Sequence, residues 1–276
     1  MTKEYVSARL KGITKIYIIY VMSIPKIIHY CWLSGDPYPE LVQFCMQSWK
    51  EKLPDYDFVL WDKSHFDIHS VPWVEQACFA KKWAFAADYI RLYTLYNYGG
   101  IYLDSDVEVL KPFDTLLDRK YFFGREHTPD SIENQESIEA ATFGSEKGLS
   151  FIKSVMAFYE KRDFCDKNGF LNTTTLPTVM ARCLRGNPLE VFPMDYFSPK
   201  NTRTLALETS KNTYSIHHFN GSWHSLAQQK HVALRTKLCK VFGERVGEIL
   251  ASFCAVFINF RYEGVFVTMK KILAKL

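Results

Sequence analysis

Asp104 and Asp106 stand two residues apart in GGIYLDSDVEVLKP, a stretch that begins at Gly99 and is otherwise built of strand-forming residues. Ile101, Tyr102, Leu103, Val107 and Val109 read together as a strand. In an extended chain residues i and i+2 project to the same side, so the two carboxylates are expected in one small volume. There each raises the other's pKa unless water screens them or a cation lies between them. The D-x-D pattern alone is weak evidence, because Asp55-Tyr56-Asp57 repeats it just after Pro54, where a solvated turn is the better reading. Asp104 and Asp106 differ in having an apolar strand run into them, preceded by two glycines, and this favours a metal role.

Two further groups carry polar chemistry. Asp88 and Arg91 lie at i and i+3 of a helical pattern and share a face, either as an exposed ion pair or, given apolar Phe85, Ala86, Ile90 and Leu92 beside them, as a buried one. Far downstream, Tyr214 to His224 (YSIHHFNGSWH) brings three histidines together with Ser222 and Trp223. Core histidines on a strand edge are the bland account of that run; metal and phosphate ligands are the functional one.

The elements that must position these groups follow from the pattern. Residues 24–32 read as a first strand broken at Ser34-Gly35-Asp36-Pro37, 40–52 as a helix, 58–61 as a second strand, and 77–98 as one long helix stopped by Gly99-Gly100. Strand, helix, strand, helix, strand predicts an α/β sheet with parallel pairs, whose active site lies beyond the carboxyl ends of the strands. Asp104 and Asp106 sit at such an end.

Composition bounds the rest. With 276 residues, 47% hydrophobic and 16% aromatic, the chain can bury one large domain. The formal charge is +4, but residues 227–276 hold nine Lys and Arg against three acids, so the basic character is confined to the tail; nucleic acid is not an expected partner. Seven cysteines without C-x-x-C spacing argue against a disulfide framework or zinc site and fit a reducing cytosol. The apolar run 16–22 is short for a signal peptide and far too short to span a bilayer, and Met22 offers a second start, so residues 1–21 are expected to be an extension with little role in the fold. The run 249–258 is also too short to span; flanked by basic residues, it either lies on an anionic membrane surface or packs as a helical pair.

IPKIIHYCW, SWKEKLPDYDFVLWD, AFAADYIRLYTLYNYGGIYLDSDVEVLKPFD and IHHFNGSW, in this order, resemble family 32 of the sequence-classified glycosyltransferases, which contains bacterial capsular polysaccharide sugar transferases and fungal Golgi mannosyltransferases. A more distant similarity is to the catalytic core of the large clostridial glucosylating toxins. The resemblance covers about residues 22–225 and is most specific from ADYIR to DSD. It implies a GT-A fold (a Rossmann-like nucleotide-diphospho-sugar transferase domain) over residues 22–226, followed by a helical tail over 227–276. It implies Mn²⁺ or Mg²⁺, a nucleotide-sugar donor with a UDP-sugar favoured over GDP-mannose, a glycan acceptor that a polyprenyl diphosphate could carry, and retention of anomeric configuration. Carried over by position, Trp32 stacks on the nucleotide base, Asp88 holds ribose or sugar hydroxyls, and Arg91 contacts the donor sugar. Asp104 and Asp106 hold ribose and metal, Ser222 and Trp223 reach the diphosphate, and His218 is a further metal ligand. The resulting expectation is a cytoplasmic bacterial enzyme of surface-polysaccharide synthesis, peripheral on the membrane's inner face. A protein-modifying effector and an inactive sugar-nucleotide scaffold are the alternatives.

Overall fold

The computed structural model of the chain describes residues 23–126, 138–186, 189–221, 225–265 and 268–269, and the backbone of 2–10 and 13–21. The chain divides into two compact units, residues 1–199 with 209–218, and residues 200–208 with 219–276.

The first unit is built on a mixed five-stranded sheet in the order β4-β3-β5-β8-β7. β3 (Ile27–Cys31) runs parallel to β4 (Asp57–Trp61) and to β5 (Gly100–Leu103), while β8 (Thr142–Ser145) lies antiparallel to β5 and to β7 (Tyr121–Phe122). Parallel neighbours need helical crossovers. α1 (Glu40–Lys52) joins β3 to β4, and α2 (Pro72–Phe79) with α3 (Trp83–Tyr98) joins β4 to β5. Helices on both faces bury β5 completely, which is why its sequence is continuously apolar rather than alternating. One core layer packs α2, α3, α4 (Ser150–Glu160) and α5 (Leu176–Gly186) on the sheet, and the other packs Trp49 of α1 with Ile28, Ile101 and Leu103. The mixed α/β architecture expected from the sequence is therefore present. At its start, β1 (Thr2–Leu10) and β2 (Ile13–Val21) form an antiparallel hairpin, Thr2 opposite Val21.

Two expectations need correction. The helix expected over 77–98 is divided: Lys81 takes φ 54°, and the chain turns before α3 begins at Trp83. The Trp73 indole donates to the Phe85 carbonyl at 2.9 Å, so both helices bury into one core and the apolar pattern runs on across the break. The strand expected through Val109 is also interrupted. β5 stops at Leu103, the chain turns with the Val107 amide donating to the Asp104 carbonyl at 3.0 Å, and β6 (Val107–Val109) leaves to pair with β9 (Ser215–His217), His217 opposite Val107. Asp104 and Asp106 are thus brought together by a turn and not by strand alternation.

Gly99 and Gly100 make the sharp entry to that strand. Gly99 ends α3 at φ 70° with its amide on the Leu95 carbonyl, and a Cβ on Gly100 (φ 109°) would stand 2.7 Å from the Ile27 carbonyl oxygen.

In the second unit, α6 (Leu226–Phe242) and α7 (Glu244–Glu263) form an antiparallel helical hairpin folded at Gly243, φ 78°. Ser225 and Gln228 close a capping box on α6. A Cβ on Gly247 would lie 2.4 Å from the Cys239 amide nitrogen, so the helices approach at backbone distance. The segment 200–208 is tied to the hairpin by Asn201 donating to Glu244 at 2.7 Å and by Arg203 against Glu248 at 2.8 Å. A helical C-terminal region, as expected, is present. All seven cysteines are free thiols.

Candidate active site

α3 and β5 carry the first half of the site. Asp88 and Arg91 project from buried turns of α3, so they are the buried form of the pair and not the exposed one. Arg91 directs its fork at Asp104: Nη1 lies 3.2 Å from Oδ2 and Nη2 3.1 Å from Oδ1, while Nη1 also donates to the Ala140 carbonyl at 2.6 Å. Asp88 Oδ1 stands 3.4 Å from the same guanidinium. Tyr102 lies under it, 4.5 Å from ring centroid to Cζ, and its hydroxyl donates to Asp104 at 3.0 Å. Asp104 is thereby held in one orientation by a bidentate charged fork and a phenol. Burial pushes the Asp88 carboxyl up to about 7, against the opposing pull of Arg91. Burial pushes the Cys31 thiol beside this group up to about 12.

The turn after β5 and the strand β9 carry the second half. The β6–β9 pairing seats His217 beside the turn, with Nε2 at 3.6 Å from Asp106 Oδ1. On its other side Nδ1 lies 3.3 Å from Glu139 Oε1. Glu139 is 1% exposed; Oε1 also accepts the Ala141 amide at 2.6 Å, and Oε2 has no hydrogen-bond partner among the described residues. Burial would lower the His217 pKa, but Asp106 and Glu139 outweigh it and raise the imidazole to about 10. Burial, reinforced by the Glu139 charge, pushes the Glu126 carboxyl up to about 8.

Asp104, Asp106 and His217 each offer an atom within 4.8 Å of the others, and among the described residues they form a candidate metal site. The donor set suits a divalent cation: carboxylate oxygens fit Mn²⁺ or Mg²⁺, and the imidazole, which gives up its second proton on binding a metal, favours Mn²⁺ of the two. Glu139 stands behind His217, its carboxylate at ion-pair distance from the far nitrogen, the position from which a carboxylate orients a metal-ligating histidine.

The structure departs from the sequence reading at the histidine. His218, expected as the ligand, turns its Nε2 to Glu108 at 3.0 Å, because successive residues of an extended chain face opposite ways and β9 turns His217 inward. Trp32 follows β3 half-buried, its indole donating to the Asp36 carbonyl at 2.7 Å and its ring 4.9 Å from Tyr38. Ser222 and Trp223 lie outside the described residues. Sequence reasoning singled out the histidine run but chose His218 over His217, and it missed Glu139, whose signal was an acid inside the apolar run Ile138 to Phe143, where a charge needs a partner.

Residues 39–123, spanning α1 to β7, match the family model described as the glycosyltransferase sugar-binding region containing a DXD motif, and Asp88, Arg91, Asp104 and Asp106 lie inside the matched span. Over 146 residues the chain is 34% identical to inositol phosphoceramide mannosyltransferase 3 of Schizosaccharomyces pombe, covering 51% of this chain and 39% of that protein. Over 86 residues it is 40% identical to glucan organizing enzyme 1 of Cryptococcus neoformans, covering 30% and 24%. The chain therefore spans well under half the length of these curated relatives. Among solved structures, the PaToxG glycosyltransferase aligns with a TM-score of 0.47 at 21% identity, covering 60% of this chain and 70% of that one.

Proposed function

We propose that this chain is a metal-dependent, retaining glycosyltransferase that moves a hexose or N-acetylhexosamine from a nucleotide-sugar to a glycan acceptor in the synthesis of a bacterial capsular or surface polysaccharide. The observation that carries the reading is the Asp104, Asp106 and His217 cluster, placed where the DXD region ends β5 and braced by Arg91 and Glu139.

In this reading Asp104, Asp106 and His217 hold Mn²⁺ or Mg²⁺, which when bound stabilises the charge developing on the departing diphosphate. Arg91 keeps Asp104 in place, and Glu139 keeps the Nε2 of His217 turned toward Asp106. Asp88, Trp32, Ser222 and Trp223 are assigned to the donor, with Trp32 against the base and Asp88 on its hydroxyls. The bond from the anomeric carbon to the diphosphate oxygen breaks, the acceptor hydroxyl oxygen bonds to that carbon on the same face, and the hydroxyl proton passes to the departing diphosphate. A UDP-sugar is the favoured donor. GDP-mannose is the second candidate, because the first relative above is named a mannosyltransferase. The acceptor is a glycan carried on a polyprenyl diphosphate, reached by peripheral contact of residues 227–276 with the inner face of the bacterial cytoplasmic membrane.

A panel of UDP- and GDP-sugars, incubated with the protein and Mn²⁺ or Mg²⁺ and read by nucleoside diphosphate release, tests this. One donor is expected to be hydrolysed, and a chelator to stop it. Binding of donors without hydrolysis or transfer under any metal would leave the scaffold reading in its place.

A further inference from the structure

The helical hairpin of the second unit is packed inside out for water. α7 turns its small residues, Gly247 and Ala251, onto α6, at 0% exposure for Ala251 and with backbone approaching backbone at Gly247. Six of its large apolar residues face the other way. Val246, Ile249, Leu250, Phe253, Val256 and Phe257 recur at three- and four-residue intervals, which places them on one side of the helix. That side is open: Ile249 is 58% exposed, Phe253 72% and Phe257 77%. Folding in water alone would turn the phenylalanines inward, since removing each from water is favourable. A contiguous apolar strip of this kind marks an interaction surface.

Charge says what kind. Lys230, Lys237, Lys240 and Arg261 of the hairpin are exposed. The acids of the same helices are turned to internal partners, Glu244 to Asn201, Glu248 to Arg203 at 2.8 Å and Glu263 to Ser225 at 3.0 Å. A second copy of this chain docked through the same face would bring two cationic hairpins together. An anionic bilayer offers opposite charge and an apolar interior at once. No described helix is long and apolar enough to cross a membrane, so the strip fits a helix lying in the plane of the surface.

We propose that α7 is the membrane-binding element of this protein, lying along an anionic lipid surface with Phe253 and Phe257 among the acyl chains and the hairpin lysines at the headgroups. This gives the membrane contact suggested above a definite face, and it does not depend on the donor chemistry.

The full chain and the F253S/F257S variant are floated with phosphatidylglycerol-rich vesicles and with phosphatidylcholine vesicles. Wild type is expected to bind the anionic vesicles, to release as salt rises, and to bind about tenfold or more tightly than the double variant. Both side chains are exposed, so helix content and Tm should be unchanged. A tryptophan placed by F257W is expected to be quenched by brominated lipid. Donor hydrolysis, measured on the same samples, should be equal in wild type and variant. The proposal is overturned if F253S/F257S floats as well as wild type. It is equally overturned if the full chain ignores anionic vesicles, or if sedimentation shows a dimer that shields the F257W indole without lipid, which would make the strip an interface between copies.

Discussion

Arg91 brings a full positive charge into a site where it is 4% exposed, and its fork is directed at Asp104 while Asp88 stands 3.4 Å away. Removing it would leave two carboxylates facing each other with little water, so R91A is expected to lose about 3 kcal/mol of stability, read as a fall in Tm. R91K is the sharper substitution. It keeps the charge and loses the planar fork, so fold and Tm should largely survive while donor hydrolysis drops by about tenfold or more through misplacement of Asp104. An R91K protein with wild-type turnover would show that the fork does not position Asp104. Glu139 is the corresponding support for His217. E139Q preserves shape and the acceptor for the Ala141 amide but loses the charge next to Nδ1. Mn²⁺ affinity, measured by titration, is expected to weaken by about tenfold in E139Q; an unchanged affinity would make the Glu139 contact merely structural. The acid pair and its helical partners were legible in the sequence because D-x-D at a strand end and A-D-Y-I-R on an apolar helix are local patterns. Glu139 and the choice of His217 over His218 were not, because they depend on the long-range pairing of β6 with β9 and on what β8 lies beside.

At the scale of elements, the passage from α3 to β5 is the most constrained. Gly100 sits at φ 109° with the Ile27 carbonyl against the position of a side chain. G100A is expected to destabilise the fold by about 1–3 kcal/mol, measured by thermal or urea unfolding. His29 lies across the same junction. Its Nε2 meets the Gly99 carbonyl at 2.9 Å and the Trp61 indole donates to its Nδ1 at 3.1 Å, so the neutral Nε2-H tautomer satisfies both partners. Burial lowers its pKa, against a smaller raising effect of the Gly99 carbonyl. Below about pH 6.5 the unfolded chain binds a proton that the folded chain resists, so this contribution to stability is lost as pH falls. Substituting His29 by Gln should flatten the pH dependence of stability between about pH 7 and pH 5; an unaltered slope would show that His29 is not the group responsible. The helix stop at Gly99-Gly100 was readable in advance. The break at Lys81 and the turn after Leu103 were not: the apolar pattern continues through both, since the segments on either side are equally buried.

Across the whole molecule, two units carry two chemistries. The first collects acids at the carboxyl end of β5, and the second exposes apolar and basic side chains along a helical hairpin. That division was partly visible in the charge count, which placed the basic residues after position 226. Its true outline was not, because residues 200–208 join the hairpin through Asn201 and Arg203. The two functions should separate, with donor hydrolysis insensitive to F253S/F257S and vesicle binding insensitive to substitutions in the acid cluster. The central claim is that Asp104, Asp106 and His217 hold the cation that makes the donor reactive. It is tested most directly by the rate of nucleoside diphosphate release at saturating Mn²⁺ in wild type and in D106N of matched Tm. Loss of release by about a hundredfold or more is the expected result. Near wild-type release from D106N would contradict it.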